Sequence, residues 1–447
     1  MIKMKMIIIG GVAAGMSAAS KAKRVDRSLD ITVYEKTAHI SLGACGLPYY
    51  IGGFFDDAAI MLVKTVEEME KAGVSVKIRH EVTEVDPATK TVTVRDLETG
   101  REFTDSYDKL AITTGARGID PDIPGVNLSG VYQMRSFEDG TESRKLLAKP
   151  EVKDVVIIGS GPIGIEAAHA ARHLGKNVTL IIKRDRILRR YFDGEITKIM
   201  EDELIRQGVD LRLGELAKEI TGDVSVTGLT TDKGHYKADM IIHSIGAAPN
   251  TEFLRDTGIS MDKGGAILVD EYGETNLEDV YSAGDCATIH NIVKGGHSYS
   301  PLATVANKLG RVIGENMAGG KVGFTGSLDS MCIQVMEIEA GRTGITEAEA
   351  AALGLDFRTV FAHDVSHSGY YPGQEDIFIK LIYDAKTKVL LGGQAAGRKG
   401  AVLRVNTLAA CIQGKMTTGQ LALLDLCYSP PFSKPWDALN VAGSLAK

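Results

Sequence analysis

Cys45 stands in the run Ile40-Ser41-Leu42-Gly43-Ala44-Cys45-Gly46-Leu47-Pro48-Tyr49-Tyr50 with no second cysteine in loop distance. A redox disulfide within one loop needs two thiols a few residues apart, commonly Cys-x4-Cys, and the position five residues beyond Cys45 is Tyr50. A redox cycle here must therefore alternate a lone thiolate with an oxidised sulfur, or with a mixed disulfide to a small thiol. Of the other cysteines, Cys286 and Cys332 read as core residues and Cys427, beside Tyr428, as a candidate resolving thiol. No pair has Cys-x2-Cys spacing, which argues against structural zinc and a secreted disulfide framework, and no metal site is expected.

Such a sulfur needs an electron source, and the elements around it supply a place for one. An apolar strand over about residues 5–9 runs into Gly10-Gly11-Val12-Ala13-Ala14-Gly15, a helix from Met16 to Arg24 and a second strand ending at Glu35. About 150 residues later the pattern returns as Val155–Ile158, Gly159-Ser160-Gly161-Pro162-Ile163-Gly164, a helix through His173 and a strand Val178–Ile182. Glycine is needed in such turns where the chain bends and where backbone approaches a pyrophosphate, which the helix N-terminus attracts. Gly159, Gly161 and Gly164 complete the G-x-G-x-x-G pattern; the first loop keeps Gly10 and Gly15 but has Val12 in the middle. Each half also closes a strand on a glycine, at Thr114-Gly115 and at Gly246.

The residue ending the second strand selects the nucleotide, because a carboxylate accepts hydrogen bonds from a free ribose diol and repels a 2′-phosphate. Glu35 suits an adenosine ribose without phosphate. The equivalent place in the second unit is Ile182, followed by Lys183 and Arg184, which predicts that NADPH is accepted, alongside NADH; a solvated charge run is the plain alternative. The segment Thr275–Asp285 reads as a strand leading to a glycine turn that presents Asp285 to a polyol.

Taken together, the two glycine loops, the strand-glycine closures, Ala283-Gly284-Asp285 and the lone Cys45-Gly46-Leu47-Pro48-Tyr49 resemble the FAD-dependent pyridine nucleotide-disulfide oxidoreductases. More narrowly they resemble the single-cysteine branch, with its coenzyme A disulfide reductases, NADH oxidases and peroxidases, and polysulfide reductases. The resemblance implies an α/β fold with two Rossmann-like domains, for FAD (1–118 and 253–325) and NAD(P) (119–252), and a C-terminal α+β dimerisation domain (326–447). It implies FAD contacts at Val12, Ala13, Ala14, Lys36, Val82, Thr114, Gly115, Asp285 and Ala303, and nicotinamide placement by Glu166. His367-Ser368-Gly369-Tyr370-Tyr371 and Cys427-Tyr428-Ser429-Pro430 are similar to the two tyrosine segments of coenzyme A disulfide reductases, implying Tyr370 and Tyr428 as active-site phenols given by the other subunit of a homodimer. It also implies Lys21, Arg24, Ser41, Lys71 and Asn307 as coenzyme A contacts. The first loop offers no histidine as a partner for an oxidised cysteine, which removes support for peroxide chemistry. Pro162 replaces a flavin-shielding tyrosine and Ala44 an asparagine, so oxygen access and substrate identity are open.

The bounds agree with an enzyme of small molecules. A net charge of -7 gives no general attraction to nucleic acid or anionic membrane, and no apolar run reaches spanning length. Reduced thiols imply a cytoplasmic setting. The expected activity is NAD(P)H-dependent reduction of coenzyme A disulfide or a related persulfide or polysulfide through Cys45, its pKa lowered by flavin and helix dipoles. An NAD(P)H oxidase, a polysulfide or coenzyme A persulfide reductase, and a flavin electron-transfer or redox-signalling protein that does not need Cys45 are the alternatives.

Overall fold

The structure, a computed structural model, describes residues 4–447; residues 1–3, where the first predicted domain begins, lie outside the described residues. Alternation of Met6, Ile7, Ile8 and Ile9 with no polar face makes Lys5–Ile9 a strand buried on both sides, as a parallel sheet requires. It is the centre of a five-stranded parallel sheet ordered Val280–Ser282, Lys109–Ile112, Lys5–Ile9, Asp30–Tyr34, Val74–Lys77, in which Ile7 sits opposite both Thr32 and Leu110. The second glycine unit repeats the plan with Val209–Leu213, Asn177–Ile182, Asp154–Ile158, Met240–His243 and Val131–Tyr132. The strand expected over Thr275–Asp285 is confined to Val280–Ser282: Asp279 takes a left-handed φ of 61°, which breaks extended structure just before it.

Helices Ala13–Val25 and Ala303–Met317 pack against each other on the first sheet. The contact depends on small residues, since a Cβ at Gly310 would lie 2.5 Å from the Ala14 carbonyl oxygen and one at Gly314 2.3 Å from that of Ala18. The chain segment from residue 331 onward forms a five-stranded antiparallel sheet, Met331–Val335, Ile338–Gly344, Leu390–Gly397, Asp376–Asp384 and Phe357–Val365, with helices Ala401–Gln413 and Ala438–Leu445 against one face.

The other face of that sheet meets the second glycine unit, and charge holds the junction. Lys380, 1% exposed, places its ammonium 2.8 Å from Glu195 at the start of helix Gly194–Arg206 and 2.6 Å from Glu347. Burial alone would depress this ammonium; the hydrogen bonds from Glu195 and Glu347 outweigh it and keep Lys380 charged. Asp193 joins them, accepting from Gln394 and from the Glu347 backbone N–H.

Replacing Lys380 by methionine leaves three carboxylates facing one another across this junction. Because Glu195 and Glu347 stay 43% and 46% exposed, water can take up part of the charge. The Lys380→Met chain should lose about 2 kcal/mol in denaturant unfolding, less than for a fully enclosed pair; an unchanged midpoint would exclude the junction as a source of stability.

Candidate redox site

Cys45 lies in a 3-10 turn, Ala44–Gly46, that leads into the short helix Leu47–Ile51 with Pro48 in its first turn. Leu47, Tyr50 and Ile51 are buried, in one apolar cluster with Ile157 and Ile165 of the second glycine unit and Ile333 and Val335 of the C-terminal sheet. The approach is close: a Cβ at Gly52 would stand 2.9 Å from Ala170 Cα, and one at Gly140 2.5 Å from Leu47 Cδ2. On its N-terminal side the strap is tied to the first glycine loop, Ser41 N–H donating to the Gly11 carbonyl at 2.9 Å, and Gly43 N–H donating to that of Met61 at 2.7 Å. Ser41 has a φ of 53°, a left-handed kink that turns the strap. Anchored at both ends, the turn leaves Cys45 exposed.

Three charged side chains bear on the thiol: Glu166 from helix Pro162–His173, Asp285, and Arg135. Partial burial, then the Glu166 and Asp285 carboxylates, push the Cys45 thiol up, with a backbone hydrogen bond and then Arg135 pulling the other way without overcoming them. The expected lowering by helix dipoles is therefore corrected. The helix after Cys45 is only five residues long, and the polypeptide by itself disfavours the thiolate. Burial also pushes the Glu166 carboxyl up to about 7, although Tyr49 OH donates to it at 3.5 Å. Tyr49, one helical turn past Cys45, is pushed up to about 12 by burial and by Glu166.

Tyr49, Arg135 and Cys332 were not among the predicted site residues. Tyr49 had a signal, its i+4 spacing from Cys45. Arg135 had none, because its place beside Asp285 (3.5 Å) and the Ala116 carbonyl depends on a 150-residue separation closing in space. Cys332, expected in the core, is exposed: it lies on the edge strand Met331–Val335, on the face opposite buried Ile333, where partial burial and then the Glu166 carboxylate push its thiol up.

The two phenols come together although 58 residues separate them: Tyr370 OH and Tyr428 OH are 2.8 Å apart. Both are exposed, 76% and 44%. The hydrogen bond from Tyr428, with help from Ser368, lowers the Tyr370 phenol, and Tyr428 is raised in return. Of the predicted coenzyme A contacts, Lys21 pairs with Glu315 at 2.9 Å and Asn307 accepts from Ser17 at 2.9 Å, so both sit on the ridge between helices Ala13–Val25 and Ala303–Met317. Arg24 and Lys71 are exposed nearby, Arg24 on the same helix and Lys71 ending helix Val66–Lys71, whose Met69 meets Ser20.

Residues 4–310 match the family described as pyridine nucleotide-disulphide oxidoreductase, and residues 332–439 match its dimerisation domain. The chain belongs to this family. It is 40% identical, over 100% of its length and 99% of the relative, to an NAD(P)H coenzyme A polysulfide/persulfide reductase of Pyrococcus horikoshii. It is 34% identical, over 99% of both chains, to an NADH oxidase of Enterococcus faecalis. The solved structure of an NAD-dependent persulfide reductase from A. fulgidus superposes with a TM-score of 0.95 at 34% identity, covering 99% of this chain and 83% of that one.

Pyridine nucleotide-disulphide oxidoreductases carry FAD and draw electrons from NAD(P)H, and the residues present fit both. A Cβ at Gly15 would be 1.9 Å from the Gly10 carbonyl oxygen, and Gly10 (φ 100°) presses on Thr113. Helices Ala13–Val25, Pro162–His173 and Ala303–Met317 begin without a side-chain cap, as do Leu47–Ile51, Gly194–Arg206 and Ala401–Gln413, whereas Thr65, Ser136, Thr346, Thr417 and Asp437 cap other helices. Val12, Ala13 and Ala14 form the first uncapped start and Ala303 the third. Glu35, buried, accepts from Gly11 N–H at 2.7 Å and Thr37 N–H at 2.8 Å, with lone pairs left for a diol; Lys36 beside it is exposed. Gly159 (φ 120°) and Gly164 are held by backbone contacts, but a Cβ at Gly161 meets no protein atom, so the chain itself does not require glycine there. Lys183 and Arg184 are exposed and make no ion pair among the described residues, and Arg186 Nε is buried without a partner. Thr114 donates to the Asn250 carbonyl at 2.7 Å, Gly115 and Gly246 take positive φ, and Val82 is buried in the first core.

Since the Glu166 anion opposes ionisation of Cys45, Glu166→Gln should speed iodoacetamide alkylation of the reduced enzyme's Cys45 above pH 7, followed by peptide mass. Below about pH 7, where Glu166 is protonated, the two proteins should converge. An equal or slower rate in the variant at high pH contradicts the placement.

Proposed function

We propose that the chain is an NAD(P)H-dependent reductase of coenzyme A disulfide, or of a persulfide or polysulfide carried by coenzyme A, working through Cys45 as its one redox sulfur. The observation that carries this is the exposed Cys45 thiol, unbonded to any of the other cysteines, on a strap between the two glycine-loop units. When bound, FAD supplies two-electron transfer between the nicotinamide and sulfur. Gly10, Val12, Ala13, Ala14, Gly15, Glu35, Lys36, Val82, Thr114, Gly115, Asp285 and Ala303 would hold it, with Gly159, Gly161, Gly164, Glu166 and Gly246 around the nicotinamide nucleotide. The unpaired Lys183 and Arg184 support acceptance of a 2′-phosphate, and hence of NADPH as well as NADH.

In the oxidative half, the Cys45 thiolate attacks one sulfur of the disulfide, forming a mixed disulfide while the other sulfur leaves with the bond's electron pair. That leaving thiolate takes a proton from the Tyr370–Tyr428 pair. Two electrons originating in NAD(P)H then cleave the mixed disulfide, restoring the Cys45 thiolate and releasing the second thiol. The sum is one disulfide, one NAD(P)H and one proton going to two thiols and NAD(P)+. As the resemblance implies, the phenols would be given by a second copy, which the match of residues 332–439 to a dimerisation domain supports; the exposed Leu423, Phe432 and Trp436, within eight residues of Tyr428 along the chain, suit burial in that homodimer. Lys21, Arg24, Ser41, Lys71 and Asn307 would contact the nucleotide end of coenzyme A, a reading supported by Lys21, Arg24 and Asn307 lying on the two helices that pack together, Ala13–Val25 and Ala303–Met317. Five unbonded cysteines suit a reducing, cytoplasmic compartment.

Cys45→Ser should cut coenzyme A disulfide or polysulfide reduction by at least about 1,000-fold, while keeping bound flavin and its reduction by NAD(P)H. Full sulfur turnover in this variant overturns the proposal, and oxygen consumption that matches disulfide reduction in the wild type assigns the chain to the oxidases.

A further inference from the structure

The phenol pair is exposed, yet the two segments that carry it converge on one buried ion pair that the reaction above does not use. Arg404, on helix Ala401–Gln413, and Asp437, which caps helix Ala438–Leu445, are 8% and 6% exposed. The guanidinium reaches Asp437 three times, Nε at 3.0 and 3.1 Å and Nη2 at 2.6 Å. The same Nη2 donates to the Ser366 carbonyl at 3.0 Å. Arg404 thereby holds the segment leading to Tyr370 with one bond and the segment following Tyr428 with the others.

The segments are stitched further toward the phenols. Asp437 accepts from Ser433 Oγ at 2.7 Å, and Ser368 Oγ donates to the Ser433 carbonyl at 3.3 Å, so each segment touches the other two residues from Tyr370. Buried His367 donates from Nε2 to the Tyr371 carbonyl at 3.2 Å and shares a hydrogen bond at Nδ1 with Ser366 Oγ at 2.9 Å. Lys434 pairs with Asp364 across the same seam. Neither Arg404 nor Asp437 touches a phenol. A buried pair of this kind adds little net stability over apolar residues of equal volume, which leaves geometry as its contribution.

We propose that Arg404 and Asp437 are positioning residues: a buried clasp that sets the 2.8 Å separation of Tyr370 and Tyr428 and so the rate at which the pair gives a proton to the leaving thiolate. This rests on the proposed role of the phenols. A lysine cannot replace the arginine, because a compact ammonium lacks the planar fork that serves a carboxylate and a carbonyl together. The clasp lies wholly within one chain, so its effect reaches Cys45 only through where the phenols stand.

The test uses the full-length, FAD-containing protein and two readouts that a stability role alone would not move. In rapid mixing, Arg404→Lys should leave flavin reduction by NAD(P)H unchanged and slow reoxidation by coenzyme A disulfide about tenfold. In a phenolate absorbance titration, the early-titrating phenol that Tyr370→Phe removes should move back toward the ordinary tyrosine range in Arg404→Lys. Tyr370→Phe and Tyr428→Phe serve as controls for the role of the phenols. If neither slows reoxidation, that role fails; if they slow it while Arg404→Lys changes neither rate nor titration, only the clasp fails. Should Arg404→Lys not assemble, Asp437→Asn, which keeps the helix cap, carries the same two readouts. Loss of assembly in both variants overturns the proposal and assigns the pair to folding.

Discussion

Burial of Leu47 and Ile51 in the core of the second glycine-loop unit is the interaction on which the site depends. Each is essentially without solvent contact, contributing about 2 kcal/mol of apolar transfer. The sulfur two residues before Leu47 has no such anchor of its own. Its position follows from these two side chains on one side and from the Ser41 to Gly11 hydrogen bond on the other. A residue that belongs by sequence to the first unit is thereby fixed against the helix of the second, where Glu166 meets it. Substitutions that loosen Leu47 would misplace the thiol without touching it.

That placement has an electrostatic cost which shapes the chemistry. Partial burial, then the Glu166 and Asp285 carboxylates, favour the protonated Cys45 thiol over the pull of Arg135. A thiolate able to attack sulfur therefore needs stabilisation from outside the polypeptide, which a bound flavin alongside the uncapped helix starts can supply. The phenol pair follows the opposite logic. It is exposed on the C-terminal domain and, in the proposed reaction, would be set by Arg404 and Asp437 and become useful when a second copy buries it. On that proposal, one half of the chemistry is built into the junction within a chain and the other half into the junction between chains.

Local patterns carried most of this architecture into view. The two glycine loops, their helices and the strands ending at Glu35 and Ile182 are set by short-range glycine and apolar spacing, and they lie within a few residues of where the sequence places them. What stayed hidden is long-range. Nothing near Arg135 signals Asp285, nothing near Lys380 signals Glu195, and the segments of Tyr370 and Tyr428 meet through an arginine 34 residues from one tyrosine and 24 from the other. Cysteine is commonly buried, yet Cys332 is exposed on an edge strand whose alternate residues face out. The expected strand before Val280 gives way at the left-handed Asp279, a residue type that tolerates that conformation better than most.

The central claim is that one sulfur and two phenols from different subunits make one site. Mixed dimers of Cys45→Ser with the Tyr370→Phe/Tyr428→Phe chain test it most directly, by disulfide turnover of the purified heterodimer. Each such dimer contains one complete site if the phenols act across the interface, and turnover should return to about half that of the wild type. If the heterodimer is no faster than the faster of the two parent dimers, the phenols do not serve the partner's Cys45 and the account is wrong.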